Sequence, residues 1–180
     1  MVVQRKIVLN VALPKIVDAV LFVENLDVFT YLLTSQKARD AVRYMALIYS
    51  SGFKACAKRG RMQGAISFFY ADITTQEEKH QFENEWYNDG WSDLPLYFWG
   101  DLDFSGLSIL KSLRRLFPVL TAWKAGYSPM LGIIEHWHLP KHSKKQNQKI
   151  LSSTGCQYEN KVVLHAIHKH VKWDDDERED

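Results

Sequence analysis

Cysteine is scarce in this sequence: the chain has 2, Cys56 and Cys156, and they form no C-x-x-C pair. This spacing predicts neither a zinc site nor a disulfide framework. The sequence also lacks an apolar run long enough to cross a membrane, and residues 1–6 lack the apolar core of a secretion signal. We therefore expect a soluble, cytoplasmic protein with no membrane contact.

A marked excess of charge of one sign is missing as well. The 23 Lys and Arg residues nearly balance the 21 Asp and Glu residues, so the net charge of +2 neither supports nor excludes nucleic acid. Hydrophobic residues make up 46% of the chain and aromatic residues 13%, which excludes a disordered protein. The length of 180 residues suits one domain with a sizeable core.

The most informative stretch runs from Leu94 to Gly106 and reads LPLYFWGDLDFSG. Its first half is an apolar, aromatic run typical of a buried strand. Asp101 and Asp103 then stand on alternate residues, and apolar residues follow at helical spacing until Pro118. Strand, acidic turn and helix form the unit of parallel α/β sheets, in which ligands bind at the carboxyl ends of strands.

Two interpretations of this acidic turn remain open on the local sequence. Asp101 and Asp103 are suited to hold Mg²⁺, which prefers oxygen ligands and retains several waters. Alternatively, one Asp caps the following helix while the other is solvated. An isolated D-x-D supports both interpretations about equally.

A second unit of strand, acid and helix precedes this one. Residues 18–23 predict a strand buried on both faces, Glu24 and Asn25 follow it, and helical spacing begins at Leu26. Taken alone, Glu24 is more typical of an exposed strand end or of a first-turn residue favoured by the helix dipole. Together the two units predict an α/β, Rossmann-like fold with a mostly parallel central sheet flanked by helices.

The rest of the chain gives weaker signals. They predict an edge strand at 7–9, a strand at 45–49, a short helix at 65–69, a surface helix within 74–93, a strand at 119–123, a turn at 126–132 and a last helix at 162–167. We expect residues 1–15 to form an N-terminal extension, residues 16–170 the catalytic domain and residues 171–180 an acidic tail.

Two groups of basic residues are candidates for contacts with DNA. One lies in the turn after the predicted strand at 45–49, and the other lies in the polar segment 136–149. Cations clustered at a sheet edge suit a phosphate backbone, whereas a solvated charged loop is the alternative. The candidate DNA-binding residues are Lys54, Lys58, Arg59 and Arg61 in the first group and Lys141, Lys144, Lys145 and Lys149 in the second.

Glu24 after one strand and the D-x-D after a later strand resemble the toprim fold, which topoisomerase VI A subunits share. A narrower resemblance is to the C-terminal toprim domain of JetD, the nuclease component of Wadjet plasmid-defence systems. It is carried by Leu21–Asn25, Ile48–Phe53 and Phe98–Leu110, and it continues through Trp123–Tyr127 and Thr154–Tyr158. The winged-helix-type N-terminal modules of that family have no counterpart here, so we expect the toprim domain alone.

The resemblance implies a divalent-metal-dependent DNA endonuclease. The family's metal-binding Glu falls on Glu24 and its two Asp on Asp101 and Asp103, which would be both metal ligands and catalytic residues. Three such carboxylates can hold Mg²⁺ or Mn²⁺ against a phosphodiester. The implied partners are DNA and subunits of an SMC-type defence complex, and a homodimer is compatible. The family also carries acidic residues near its C-terminus, for which the candidates in this chain are Glu159 or a member of the run Asp174–Asp180.

Two alternative functions stay open. A haloacid-dehalogenase-type phosphatase would use Asp101 as nucleophile and Asp103 as general acid, but that family places its D-x-D on the first strand and leaves Glu24 without a role. A toprim module could instead bind metal and DNA without cutting. For a nuclease we expect hydrolysis by water, because no tyrosine belongs to a recognisable second domain that could bring it over the site.

Overall fold

The computed structural model describes residues 6–72, 74–88, 90–137, 142–143 and 151–172. The strands are β1 (Ile7–Ala12), β2 (Ala19–Val23), β3 (Met45–Tyr49), β4 (Ile66–Tyr70), β5 (Leu96–Trp99), β6 (Thr121–Ala122), β7 (His142–Ser143) and β8 (Val171–Lys172). The α-helices are α1 (Leu26–Thr34), α2 (Gln36–Ala41), α3 (Gln76–Tyr87), α4 (Phe104–Leu113), α5 (Lys124–Trp137) and α6 (Leu164–His170). Short 3-10 segments cover Gly52–Cys56, Lys58–Arg61 and Gly90–Asp93, and a π-helical turn, Glu159–Val163, leads into α6. Within these residues, no helix combines the length and the hydropathy that a membrane span needs.

The main sheet of the described part has 6 strands in the order β4-β1-β3-β2-β5-β6. Neighbouring strands are parallel except β1 and β3, which pair antiparallel. A separate parallel pair joins β7 to β8. This architecture confirms the predicted α/β class with its mostly parallel sheet. It also makes β2 and β5 direct neighbours, so the two acidic strand ends leave the sheet side by side.

Helices cover both faces of β2. Leu21 and Val23 pack on the side of α1, where they contact a core that includes Phe29. Val20 and Phe22 belong to the larger core on the opposite face, which α3, α4, α5 and α6 complete. Because side chains alternate between the two faces of a strand, a strand covered on both faces must be apolar throughout. This explains why the segment of β2 is an unbroken apolar run, the pattern from which the strand could be predicted.

Two predictions at the other end of the sheet are wrong. Residues 65–69 form most of the strand β4 instead of a helix, and β1 lies inside the sheet, between β4 and β3, instead of at its edge. The ring of Phe68 on β4 lies edge-on to Phe82 and to Trp86 of α3, with centroid distances of 5.4 Å in both cases. The apolar spacing of this short segment also fits a helix, so strand pairing and these aromatic contacts determine its secondary structure.

The turn predicted at 126–132 is also wrong, because these residues lie inside α5. Pro129 and the glycines indicated a turn, yet the helix continues through Pro129. A Cβ on Gly126 would come within 2.7 Å of the rings of Trp99 and Trp123, so glycine is required where α5 crosses this tryptophan pair. Packing across the helix therefore overrides the local signals.

Three other predicted elements are present. The surface helix is α3, which begins with a capping box: Glu78 N donates to Thr75 Oγ1 at 3.2 Å, and Thr75 N donates to Glu78 Oε2 at 2.7 Å. The strand predicted at 119–123 is shorter, reduced to β6. The helix predicted at 162–167 is confirmed by the π-helical turn and α6. The acidic tail from residue 174 onward lies outside the described residues.

Candidate functional site at the carboxyl ends of β2 and β5

Glu24 and the acidic turn are in direct contact. The register of β2 and β5 places Val23 opposite Trp99, and Glu24 N donates to Trp99 O at 3.0 Å. Asp101 N then donates to Glu24 Oε2 at 3.0 Å, which ties the side chain of one strand end to the backbone of the other. The sequence expectation that Glu24 lies beside the D-x-D turn is therefore met.

Two glycines make room for the Glu24 carboxylate. A Cβ on Gly100 would overlap Glu24 Oε2 and come within 2.7 Å of the Phe98 ring. A Cβ on Gly106 would lie 3.0 Å from the same Glu24 oxygen and would overlap the carbonyl oxygen of Asp101. The glycines at the two ends of the motif GDLDFSG are therefore required by close approach of a carboxylate to the backbone.

Both helices that start at this edge are capped by side chains. Asp103 is the N-cap of α4, and its Oδ1 accepts a hydrogen bond from Gly106 N at 2.9 Å. Asn25 caps α1 by accepting from Asp27 N at 2.8 Å. The capping interpretation is therefore correct for Asp103. It does not exclude a metal ligand, because a carboxylate has more acceptor sites than one cap uses.

Tyr127 of α5 lies behind the acidic turn and is fully buried. Its hydroxyl oxygen accepts a hydrogen bond from Gly100 N at 3.1 Å. Burial raises the pKa of Tyr127 well above its usual value, and the charges of Glu159, Glu24 and Asp101 add to the rise, whereas the Gly100 hydrogen bond opposes it. The hydroxyl is therefore neutral at physiological pH. Sequence reasoning missed this contact because the segment around Tyr127 was predicted as a turn.

Glu159 is a second buried polar group in this region. Its side chain is 0% exposed, and among the described residues neither carboxylate oxygen has a hydrogen-bond partner. Burial raises the pKa of Glu159 to about 8, although the Thr154 hydroxyl and the Arg114 guanidinium act to lower it. Glu159 is therefore mostly protonated at neutral pH. No sequence signal indicated this burial, since glutamate is rarely enclosed without a partner.

The three carboxylates at this edge are of the chemical type that binds a divalent cation, but their side chains are not arranged around one point. Glu24, Asp101 and Asp103 supply carboxylate oxygens, the ligands that Mg²⁺ and Mn²⁺ prefer. Among the described residues, however, no group of 3 or more His, Cys, Asp and Glu side chains is arranged to hold a metal ion. The backbone thus brings the three residues to one edge, and Mg²⁺ or Mn²⁺ binding stays a prediction.

The segment that carries the first basic group, residues 54–61, packs along α4. The Cys56 thiol lies 3.6 Å from Ile109 O, in the middle of α4. Arg61 stacks over the ring of Phe117, beyond the end of α4, with its guanidinium carbon 4.8 Å from the ring centroid. Asp103 lies at the opposite end of this helix. Arg61 therefore packs beyond the end of α4, while Lys54 is exposed, and a role of this group in DNA binding stays a prediction.

The other basic candidates are less defined. Arg59 is half-buried, whereas the side chain of Lys58 lies outside the part that the structure describes. The second group, Lys141, Lys144, Lys145 and Lys149, lies outside the described residues.

Burial and the charge of Glu24 raise the pKa of Cys56 to about 12, so this cysteine remains a thiol and is no nucleophile at neutral pH.

Comparison with protein families finds a match to the family described as "Wadjet protein JetD, C-terminal", over residues 8–150. The matched range begins within β1, extends past α5 and β7, and contains Glu24, Asp101 and Asp103, whereas Glu159 lies beyond it. No curated protein and no solved structure matches the chain. Because the match covers most of the sequence, the chain belongs to the JetD C-terminal family and is thereby connected with Wadjet defence.

Proposed function

We propose that this domain is the toprim-like catalytic domain of a metal-dependent nuclease that hydrolyses DNA within a defence complex. The observation that carries the proposal is the hydrogen bond from Asp101 N to Glu24 Oε2, which joins the acidic ends of two neighbouring parallel strands. A Rossmann-like sheet by itself hosts many functions, so the argument rests on this edge and on the JetD family.

Glu24, Asp101 and Asp103 are the residues that would hold Mg²⁺ or Mn²⁺. Such an ion, when bound, polarises a phosphoryl oxygen and makes water a usable nucleophile near neutral pH. The chain itself supplies a fixed edge of negative charge, and it places the N-terminal ends of α1 and α4 at the same edge. These helix ends favour anions and would orient a phosphate towards the carboxylates.

Water is the nucleophile that best fits the buried groups near the site. Tyr127 is enclosed behind the turn, bound to Gly100 N and neutral, and Cys56 is a thiol. Neither can attack a phosphodiester bound at the solvent side of the acidic turn. Cleavage should therefore release free DNA ends without a covalent link to the protein.

The test is incubation of the protein with supercoiled plasmid and Mg²⁺ or Mn²⁺, in the presence and absence of partner subunits from the same defence complex. We expect strand breaks that depend on the cation and disappear in Asp101→Asn. The matched control is Asp93→Asn, an exposed carboxylate that precedes β5 at the other edge of the sheet, and it should cut normally. Denaturation with detergent should leave the labelled DNA free of protein.

A second candidate function is a module that binds cation and DNA without cutting. Cation-dependent plasmid binding with intact strands, both alone and with the partner subunits, would replace the nuclease proposal by this one. Cleavage of p-nitrophenyl phosphate that requires Asp101 but not Glu24 would instead support a phosphatase.

A further inference from the structure

β4 is the last strand of the main sheet, and the side of it that faces away from β1 is its outer side. In the described part of the chain, β4 pairs with β1 alone, in parallel register. Ala71 N donates to Val11 O at 2.8 Å, so Ala71 and every second residue before it turn their backbone groups towards β1. The backbone N–H and C=O groups of Phe68 and Tyr70 therefore point to the outer side.

The strand carries none of the residues that usually protect a terminal strand. Its sequence, ISFFY, contains no charged residue, no proline and no glycine. Proteins place such residues, or a covering segment, where the last strand of a sheet must not pair with another chain. Amide and carbonyl groups that point outward from an uncharged strand can bind the backbone of a further strand.

The sheet face next to this outer side is uncovered. Phe68 packs on α3, so Phe69 turns to the opposite face, where its side chain is 59% exposed. Val8 of β1 lies on the same face, because its register partner is Ser67, and it is 49% exposed. The core on that face, as far as the structure describes it, includes no residue of β4. Apolar side chains of an added strand would therefore contact Phe69 and Val8.

The other face of β4 is bordered by α3, which is an acidic helix. The helix has one lysine, Lys79, against four glutamates, which are Glu77, Glu78, Glu83 and Glu85. Glu83 lies next to β4, since its Oε1 accepts from the Tyr70 hydroxyl at 3.2 Å, and the Lys79 ammonium lies 5.3 Å from the Tyr70 ring centroid. On this face an added strand would meet an excess of negative charge, which favours lysine or arginine.

A second copy of β4 fits the outer side less well than a basic strand. Two β4 strands paired about a twofold axis would bring the two α3 helices together on one face of the joined sheet. Each helix carries the same excess of glutamate, so like charges would approach each other. The sequence ISFFY also offers no cation to Glu83.

We propose that the outer side of β4 is the docking site for an extended segment of a partner protein, which adds a strand to the sheet. Every second residue of this segment is apolar and faces Phe69 and Val8, and the residues between them are lysine or arginine and face α3. Backbone hydrogen bonds to Phe68 and Tyr70 hold the segment in place. β1 and β3 separate β4 from β2, so the docked strand leaves the acidic turn free.

The first test uses a synthetic seven-residue peptide in which valine and lysine alternate, and it needs neither metal nor DNA. In nitrogen-15 NMR, a saturating amount of this peptide should slow hydrogen exchange of the Phe68 and Tyr70 amides about tenfold, the effect of gaining one hydrogen bond each. The amides of Ser67 and Phe69 are matched controls in the same strand. They already face β1, so their exchange should change little.

Two N-methylated peptides separate strand addition from attraction between charges. Methylation of every lysine amide and methylation of every valine amide block opposite sides of the extended peptide and leave its charge unchanged. One version should lose binding, because its methyl groups face β4, and the other should bind like the unmodified peptide. Equal effects of the two methylations would overturn the proposal. A peptide with glutamate in place of lysine should bind at least tenfold more weakly.

Variants of the protein locate the site, with a labelled peptide followed by fluorescence anisotropy. Phe69→Lys should weaken binding about tenfold, because it removes an apolar contact and adds a charge that repels lysine. Glu83→Gln should weaken binding about threefold, since the amide still accepts from Tyr70 but has no charge. The matched control is Val119→Lys, an apolar residue that is 53% exposed between α4 and β6, and it should bind normally.

Three results would contradict the proposal. The first is failure of the unmodified protein to bind the peptide, and the second is an equal loss of binding in Phe69→Lys and Val119→Lys. The third is a dimer of the unmodified protein in sedimentation that Phe69→Lys converts to a monomer, because the outer side of β4 would then belong to a second copy of the chain.

Discussion

The two edges of the parallel sheet are both acidic, but they are built differently. At the carboxyl edge, Asp101 N binds Glu24 and Gly106 N binds Asp103, so backbone amides engage two carboxylates directly. At the opposite edge, a cavity of about 360 Å³ is lined by residues of the β1–β2 connection, of α3 and of the segment before β5. Its charged lining residues are the carboxylates Glu78, Glu85 and Asp93 and the cation Lys15.

The difference shows that a count of acidic residues does not identify a site. Glu78 forms the capping box of α3 with Thr75, whereas Glu85 is half-buried on α3 and Asp93 is exposed in the 3-10 segment before β5. By contrast, at the carboxyl edge Gly100 and Gly106 leave room for the Glu24 carboxylate, and the buried Tyr127 hydroxyl binds Gly100 N. Backbone that is adapted to a carboxylate distinguishes the candidate site from a solvated acidic surface.

The largest effect expected from this comparison is on stability. Gly100→Ala places a methyl group against Glu24 Oε2 and the Phe98 ring, so we expect it to lower the free energy of unfolding by about 3 kcal/mol. Gly132→Ala is the control: a Cβ there meets nothing within 4 Å, and alanine favours the helix α5, so stability should stay equal or rise. Denaturant titration of both variants measures the difference. Equal stabilities would show that the turn has room for a side chain.

The next effect concerns pH. Because the folded pKa of Glu159 is about 8, above the usual 4.5, the folded protein keeps this proton longer than the unfolded chain. Stability from this group is therefore full below about pH 4.5 and is lost as pH rises towards about 8. Glu159→Gln removes the loss, so its stability relative to the unmodified protein should rise by about 2 kcal/mol between pH 6 and 8.

Unfolding titrations at several pH values test this expectation. The control is Glu77→Gln, an exposed residue in the first turn of α3. Its stability relative to the unmodified protein should show no comparable trend. A flat difference for Glu159→Gln would mean that Glu159 is ionised in the folded protein and has found a partner.

A smaller effect is the stabilisation by Mg²⁺, which should depend on carboxylates at the carboxyl edge and not on those at the opposite edge. Addition of Mg²⁺ at ten times its dissociation constant should stabilise the unmodified protein by about 1.4 kcal/mol. Asp101→Asn should abolish this gain while leaving the metal-free melting temperature unchanged or higher, because it removes one of several like charges at the edge. Glu85→Gln at the opposite edge should keep the full response. A marked fall in the metal-free melting temperature of Asp101→Asn would instead identify a structural role for this carboxylate.

The elements that position the site were predictable because their signals are local. The segment that forms β2 is an apolar run, and Glu24 and Asn25 follow it directly before a helical pattern. The D-x-D turn has the same arrangement, and neighbouring parallel strands place such ends together. Sequence could therefore indicate Glu24 beside Asp101, although it could not show that Gly100 and Gly106 surround the Glu24 carboxylate.

The parts that could not be predicted depend on contacts distant in sequence. β4 has apolar spacing that fits a helix, and only pairing with β1 makes it a strand. Pro129 indicates a turn, and only packing on Trp99 and Trp123 keeps α5 continuous. Local propensity carries no information about any of these contacts.

The smallest expected effect distinguishes two members of the basic group after β3. Lys54 is exposed, so Lys54→Ala should leave stability unchanged. If Lys54 contacts a DNA phosphate, this change should reduce the slope of log affinity against log salt by about one, whatever the DNA sequence. Arg61 stacks on Phe117, so Arg61→Ala should lower stability by about 1 kcal/mol. The salt dependence of DNA binding should change little in Arg61→Ala, because the guanidinium is packed at the far end of α4 from the acidic turn.

Filter binding across a salt series measures the salt dependence of DNA affinity, and denaturant titration measures the stability of both variants. A steep loss of salt dependence in Arg61→Ala would extend the DNA path along the whole of α4, and an unaltered slope in Lys54→Ala would remove this lysine from it.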